Sequence, residues 1–124
     1  MTRVEAAGDH TGGLFAAIDA KDPEAFVGYL TGDASFRFGS APAVQGRDAI
    51  CAAVGAFFDT IAGLSHVVNK TLVDGATMVC EGEVTYTRLD GSSVTLPFTD
   101  VFEYDGDLIA EYKIYMDVSP LYAA

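Results

Sequence analysis

Asp100 is the residue whose setting most clearly invites chemistry. It lies in the run Val94-Thr95-Leu96-Pro97-Phe98-Thr99-Asp100-Val101-Phe102-Glu103-Tyr104. With a period of two, one face of this run carries Val94, Leu96, Phe98, Asp100, Phe102 and Tyr104. A single carboxylate thus interrupts an apolar strand face. Burying an unpaired carboxylate is costly, so it must be paired, protonated or turned toward a cavity. Among Phe98, Phe102 and Val94, desolvation raises its pKa toward neutrality. There it could donate a proton to an enolate or remove one next to a carbonyl. The alternative is a buried aspartate held by His66, a tyrosine or a backbone amide.

His66 is the natural partner, because imidazole titrates near neutrality. The chain has two histidines, and His10 lies near the start. Against this stands a histidine that merely ends a strand. Asn69, three residues on, faces the other side under strict alternation, and only a bulge would bring both to one pocket. Tyr86 shares a face with Val84 and Cys80 and could hydrogen-bond a carbonyl oxygen, or be an amphipathic core tyrosine. Tyr112 and Tyr115 fall on opposite faces of the last strand, so one of them lines a pocket, and Tyr115 is taken as that one. Phe38, Phe58, Phe98 and Phe102 are expected to supply apolar lining. Asp117 reads as a strand-end carboxylate bonding backbone amides or the tail. Glu81 and Glu83, opposite Tyr86, read as solvated or dimer-facing. No His/Asp/Glu set has metal-ligand spacing and no glycine-rich loop follows a strand, so no metal or cofactor is expected.

The elements that position these residues follow from pattern and punctuation. Leu14, Phe15 and Ile18 recur at helical spacing, with Thr11 as an N-cap and an end near Lys21, after a flexible or loosely helical lead-in over residues 1–10. Asp22-Pro23-Glu24 restarts a short helix burying Phe26 and Val27. Residues 34–38 form a short strand, residues 39–46 a loop. Residues 47–62 form a longer helix with Ile50, Val54, Phe57, Phe58 and Ile61 on one stripe. Gly55 is a weak spot in it, or a close contact. From Leu64 the period becomes two. Asp74-Gly75, Asp90-Gly91 and Asp105-Gly106 then divide the chain into strands at about 64–73, 76–89, 93–104 and 107–117. Helices followed by an antiparallel meander indicate an α+β domain with helices on one face of a curved sheet, and a tail over 119–124.

The totals fit one domain. The chain has 124 residues, half of them hydrophobic, and a mean hydropathy of +0.25. Eighteen acids against seven bases give a net charge of −11. That charge disfavours nucleic acid and anionic membranes and suits a neutral or weakly polar ligand. Cys51 and Cys80 are too few for a disulfide framework and are expected as buried free thiols in a reducing compartment. Residues 1–10 have no apolar core of a signal sequence, so a cytoplasmic location is expected.

Over residues 11–118 the chain resembles the nuclear transport factor 2-like superfamily, and within it SnoaL-like and ketosteroid-isomerase-like proteins. The likeness rests on Ala25-Phe26, Leu30, Gly32-Asp33-Ala34-Ser35-Phe36, Gly46-Arg47-Asp48-Ala49-Ile50, Phe98-Thr99-Asp100-Val101-Phe102 and Ile109 through Tyr115-Met116-Asp117. The resemblance implies a cone: a strongly curved, mostly antiparallel sheet packed on three N-terminal helices, with an internal pocket and frequent dimerisation through the outer sheet face. Asp100 matches the position of the isomerases' protonated oxyanion-hole acid. Their general-base aspartate falls near Phe38, and their oxyanion tyrosine near Leu14. The Asp-Arg-Asp triad of limonene epoxide hydrolases falls on Glu83, Thr85 and Ile114. SnoaL-like cyclases pair a strand aspartate with a nearby histidine, which here are Asp100 and His66. The expected function is cofactor-independent proton transfer on a small apolar carbonyl compound, by isomerisation, cyclisation or dehydration. The competing expectation is a non-catalytic binding or dimerisation module of the same fold.

Overall fold

The computed structural model describes residues 2–123, with side chains from residue 11 onward. Three helices, α1 (Thr2–Asp19), α2 (Pro23–Val27) and α3 (Arg47–Phe58), pack on a six-stranded sheet. Its strands are β1 (Leu30–Phe38), β2 (Val44–Gln45), β3 (Ile61–Asp74), β4 (Thr77–Arg88), β5 (Ser93–Asp105) and β6 (Leu108–Tyr115), followed by a 3-10 turn (Ser119–Tyr122). The sheet order is β2-β1-β6-β5-β4-β3. Every pairing is antiparallel except β1 with β6. This is the α+β cone expected from the sequence.

The meander forms because Gly75, Gly91 and Gly106 each adopt positive φ, which a Cβ would penalise. One helix begins earlier, and another ends sooner, than periodicity suggests. Thr11 is not an N-cap: α1 runs through it from Thr2, and Thr11 is buried. At its other end Lys21 takes φ 57°. The amides of Lys21 and Asp22 donate to the carbonyls of Ile18 and Ala17, at 2.8 and 3.1 Å. These two bonds form a Schellman stop without glycine. Asp22 caps α2 as expected, its Oδ1 accepting from the Ala25 amide at 3.1 Å. Helix α3 ends at Phe58, and Ile61 opens β3 instead of extending the helical stripe. The helical apolar period and the first inward strand position coincide at Ile61, so periodicity cannot separate them. At Gly55 an added Cβ would meet Pro23 at 3.7 Å, an ordinary contact. The loop over 39–46 contains the two-residue strand β2, paired to β1.

The core lies between helices and sheet. Phe26, Leu30, Ile50, Met78, Val84, Phe102, Ile109 and Tyr112 are almost fully buried there. Burial of such side chains contributes about 1.5–3 kcal/mol each before entropy is subtracted. Arg47 holds α3 to β1: its Nε donates to the Leu30 carbonyl at 2.9 Å, and Nη2 donates to the same oxygen. The tail docks because Arg88 donates to the carbonyls of Pro120 and Leu121, each at 2.9 Å. Cys80 is buried, whereas Cys51 is only partly so; both are free thiols. Among the described residues no helix is long and apolar enough to cross a membrane.

Candidate functional site

The inward face of β5 alternates as the sequence suggests, with Leu96, Phe98, Asp100 and Phe102 buried. Neighbours on both sides, Cys80 on β4 and Ile114 on β6, pair with Asp100 and shield its backbone. Its side chain reaches a cavity of about 230 Å³ between sheet and helices. That volume is below the roughly 300–1,000 Å³ of sites for drug-sized ligands, so the occupant must be small. Phe36, Phe38, Val54, Phe57, Phe58, Leu64, Phe98 and Ile114 supply apolar walls, and Asp100, Tyr112, Tyr86 and His66 supply the polar groups. Ala41 and Pro42 line the cavity and are exposed, which sets its rim at the β1–β2 loop.

Asp100 is 2 % exposed. The Tyr112 hydroxyl donates to its Oδ2 across 3.5 Å, the outer limit of a hydrogen bond. Oδ1 is buried with no hydrogen-bond partner. Desolvation therefore dominates, and the carboxyl pKa stands well above the ordinary value despite the Tyr112 bond that opposes the shift. Burial also raises Tyr112, with the Asp100 charge adding to it. Burial pushes the Cys80 thiol up to about 11, the Asp100 charge again contributing. The shift favours the protonated form of Asp100, and a protonated carboxyl can donate from the unpartnered oxygen.

Tyr86 lines the cavity and is 2 % exposed. Its hydroxyl donates to the Met116 sulfur at 3.8 Å, a weak acceptor that leaves it available to a ligand. Burial, then the Asp100 charge, raises its pKa and keeps it a donor.

His66 lines the cavity, but its partner is not Asp100. Its ring Nδ1 lies 2.6 Å from Asp19 Oδ1, and its backbone amide donates to Asp19 Oδ2 at 3.0 Å. His66 pairs with Val84, which pairs with Leu96, four residues from Asp100. At about 4.8 Å per strand and 3.3 Å per residue, the two backbones are far beyond hydrogen-bond reach. Phe98 lies between them on β5, its ring 5.2 Å from the imidazole. Phe15 packs on the same ring at 5.0 Å. This burial lowers the His66 pKa, with Asp19 pulling the other way.

The apolar candidates divide. Phe38, Phe58 and Phe98 line the cavity. Phe102 does not: it is fully buried behind the site, its ring 4.6 Å from Tyr112. Tyr115 is 55 % exposed and lies outside the cavity, and Tyr112 takes the inward place. The parity of β6 offers one tyrosine to each face, and the β5 register, Phe102 with Tyr112, turns Tyr112 inward. A bulge does occur at Asn69, where Val68 pairs with Gly82 and Lys70 with Glu81, yet Asn69 stays exposed. Asp117 accepts from the amide and hydroxyl of Ser119, as a turn residue. Glu81 and Glu83 face outward and are exposed. Among the described residues no cluster could hold a metal ion.

Asp19 is the site residue that strand patterning misses. A faint signal exists: a carboxylate in the last turn of a helix opposes the helix dipole, and this last turn carries no basic residue to offset it. Such a carboxylate gains from a donor elsewhere, and His66 meets it with its backbone amide and with its ring Nδ1.

Solved structures share this architecture at low identity. An NTF2-like protein of unknown function from Burkholderia pseudomallei aligns with a TM-score of 0.84 and 16% identity, over 94% of each chain. A candidate SnoaL-like polyketide cyclase from Jannaschia sp. aligns at 0.82 and 18% identity, over 95% of this chain and 90% of the other. A protein of ketosteroid isomerase-like fold from Catenulispora acidiphila, in complex with trimethylamine, aligns at 0.82 and 15% identity, over 89% and 86%. At these identities the likeness concerns the fold. No curated protein matches the chain. The SnoaL-like domain pattern matches residues 12–112, most of the chain, and the protein belongs to the SnoaL-like domain family.

Proposed function

We propose that the protein is a cofactor-independent enzyme that moves a proton on a small apolar carbonyl compound, in an isomerase-, cyclase- or dehydratase-type reaction. The observation that carries this reading is the buried, unpartnered Oδ1 of Asp100 at an apolar cavity. An acid kept neutral by desolvation donates best to an oxygen that gains negative charge, as a carbonyl does on enolisation. Tyr86 offers a second donor in the same cavity, and the apolar walls exclude competing water. His66 supplies a basic nitrogen at another part of the wall, so acid and base act on separate ends of the ligand and not as a bonded pair. The expected occupant is small, flat or aliphatic, and uncharged.

The test is solvent-deuterium exchange at the α-carbons of 2-indanone, followed by NMR. The wild-type protein should accelerate exchange over buffer, and Asp100→Asn should lose at least tenfold of that acceleration while keeping its fold. A second reading, non-catalytic binding, is favoured by Phe38 and Leu14 occupying the places of the isomerases' base and tyrosine. Binding of 2-indanone without any acceleration, equally in wild type and Asp100→Asn, would select it. Homodimerisation through the outer sheet face belongs to the same proposal. It is supported by the exposed Val67 and Leu72 and by the mildly polar Thr85 and Thr95 on the sheet.

A further inference from the structure

Asp19 stands outside every motif in the sequence, yet it holds His66, a residue of the cavity wall, through two contacts. Both of its carboxylate oxygens are committed to one residue. Oδ2 accepts from the backbone amide of His66 at 3.0 Å, and Oδ1 sits 2.6 Å from the ring Nδ1. A backbone amide is an obligate donor, so that contact fixes which way the carboxylate faces. An ionised carboxylate only accepts, so the ring nitrogen facing it must carry a hydrogen. The neutral imidazole then has its hydrogen on Nδ1 and a bare lone pair on Nε2. Phe15 and Phe98 pack on the ring at 5.0 and 5.2 Å and hold its plane. The ring lines the cavity, and Nε2 is the nitrogen left for an occupant.

We propose that Asp19 is a positioning residue that locks His66 as a hydrogen-bond acceptor toward the cavity, so the natural ligand carries a hydrogen-bond donor, a phenolic or enolic hydroxyl, at that end. This deepens the reading of the pocket as a carbonyl-compound site and rests on it. Asp100 and Tyr86 offer donors to the cavity, and His66, away from Asp100, accepts. The ligand that satisfies all three is a small hydroxy-carbonyl molecule with its two oxygens apart, not a simple ketone or hydrocarbon. Such a wall rejects a ligand that presents an acceptor to His66, because two lone pairs would then face each other in a dry site.

The sharpest consequence concerns Asp19→Asn. The variant has one oxygen and one NH2 in place of two oxygens. The His66 amide must still donate, so it takes the oxygen, and the NH2 turns toward the ring. Nδ1 must then accept, the hydrogen moves to Nε2, and the cavity wall changes from acceptor to donor. A merely structural contact would alter stability without reversing the ring.

The tautomer of His66 can be read from its ring 15N shifts and their long-range proton couplings in the ligand-free protein, with His10 as the second histidine. At pH 7.5 the wild type should show hydrogen on Nδ1, and Asp19→Asn should show it on Nε2. Binding of 4-methylphenol and its methyl ether is then compared by titration. The phenol should bind the wild type more tightly than the ether, and Asp19→Asn should shrink that preference at least about threefold with the ether's affinity little changed. Hydrogen on Nε2 in the wild type, or an even mixture of tautomers, overturns the proposal without use of any variant, so an unstable Asp19→Asn does not rescue it. An unchanged tautomer in a folded Asp19→Asn also overturns it. If neither probe binds while the wild-type tautomer is as expected, the positioning role of Asp19 stands and the pocket reading and ligand class fall.

Discussion

Gly82 lies directly under the carbonyl of Val67, where a Cβ would stand 1.9 Å from that oxygen and 3.0 Å from the Cα of Val68. The crowding atoms are backbone, so neither can rotate away. Val67 is one residue past His66 in sequence, and the contact sits next to the bulge of β3 at Asn69. Gly82→Ala should therefore destabilise the protein by about 3 kcal/mol or more. Urea unfolding checks this, and an alanine variant within about 1 kcal/mol of wild type would contradict the packing described.

Asp100 should make stability depend on pH with a definite sign. Its folded pKa is raised by burial. The unfolded state therefore releases this proton first, near pH 4. Above that point the folded state holds more protons than the unfolded one, so rising pH reduces stability until the folded group ionises. His66 acts oppositely: with its pKa lowered by burial, stability is lost as pH falls below about 6.5. Asp100→Asn retains His66, so the difference between the two proteins isolates Asp100. The variant should gain melting temperature relative to wild type, with a larger gain at pH 8 than at pH 5. A difference that does not change with pH would count against a neutral buried acid.

Tyr86 tests the difference between a packing tyrosine and a ligand contact. Its hydroxyl meets only the weakly accepting Met116 sulfur among the described residues. Tyr86→Phe should stay within about 0.5 kcal/mol of wild-type stability, since little bonding is lost. Its affinity for a carbonyl probe should fall about tenfold, or about 1.4 kcal/mol. Loss of stability with affinity intact would make the hydroxyl structural.

Ala53 offers a way to close the cavity from the helical side. It lines the space from α3 with a methyl group. Ala53→Phe should fill part of that space at a cost of about 1–3 kcal/mol. Binding of 2-indanone should then fall by at least about tenfold. Wild-type binding in the filled variant would place the ligand elsewhere.

The outer face carries the oligomer prediction. Val67 and Leu72 on the edge strand β3 are 58 % and 54 % exposed. Light scattering after size exclusion should give a dimer at micromolar concentration, and Val67→Lys with Leu72→Lys should shift it toward monomer. A wild-type monomer under those conditions contradicts the dimer.

The order of elements was legible in the sequence because its signals are local. Three Asp-Gly turns, the Asp22-Pro23 restart and the alternation around Asp100 each depend on residues within a few positions. The same alternation placed Asp100 and Phe98 on one face of β5, the face that is buried. Boundaries blurred where two local signals coincided, as at Ile61, or where a helix continued through a residue that also suits a cap, as at Thr11. What only the tertiary structure decided was pairing across the chain. The sheet order sets His66 two strands from Asp100, and the register of β5 with β6 turns Tyr112 inward and leaves Tyr115 exposed. The contact of Asp19 with His66 spans 47 residues. No period or motif encodes it, because it exists only once the Schellman turn ends α1 against β3. Composition and alternation can show that a strand carries an odd carboxylate, but which groups meet it depends on distances that local sequence does not contain.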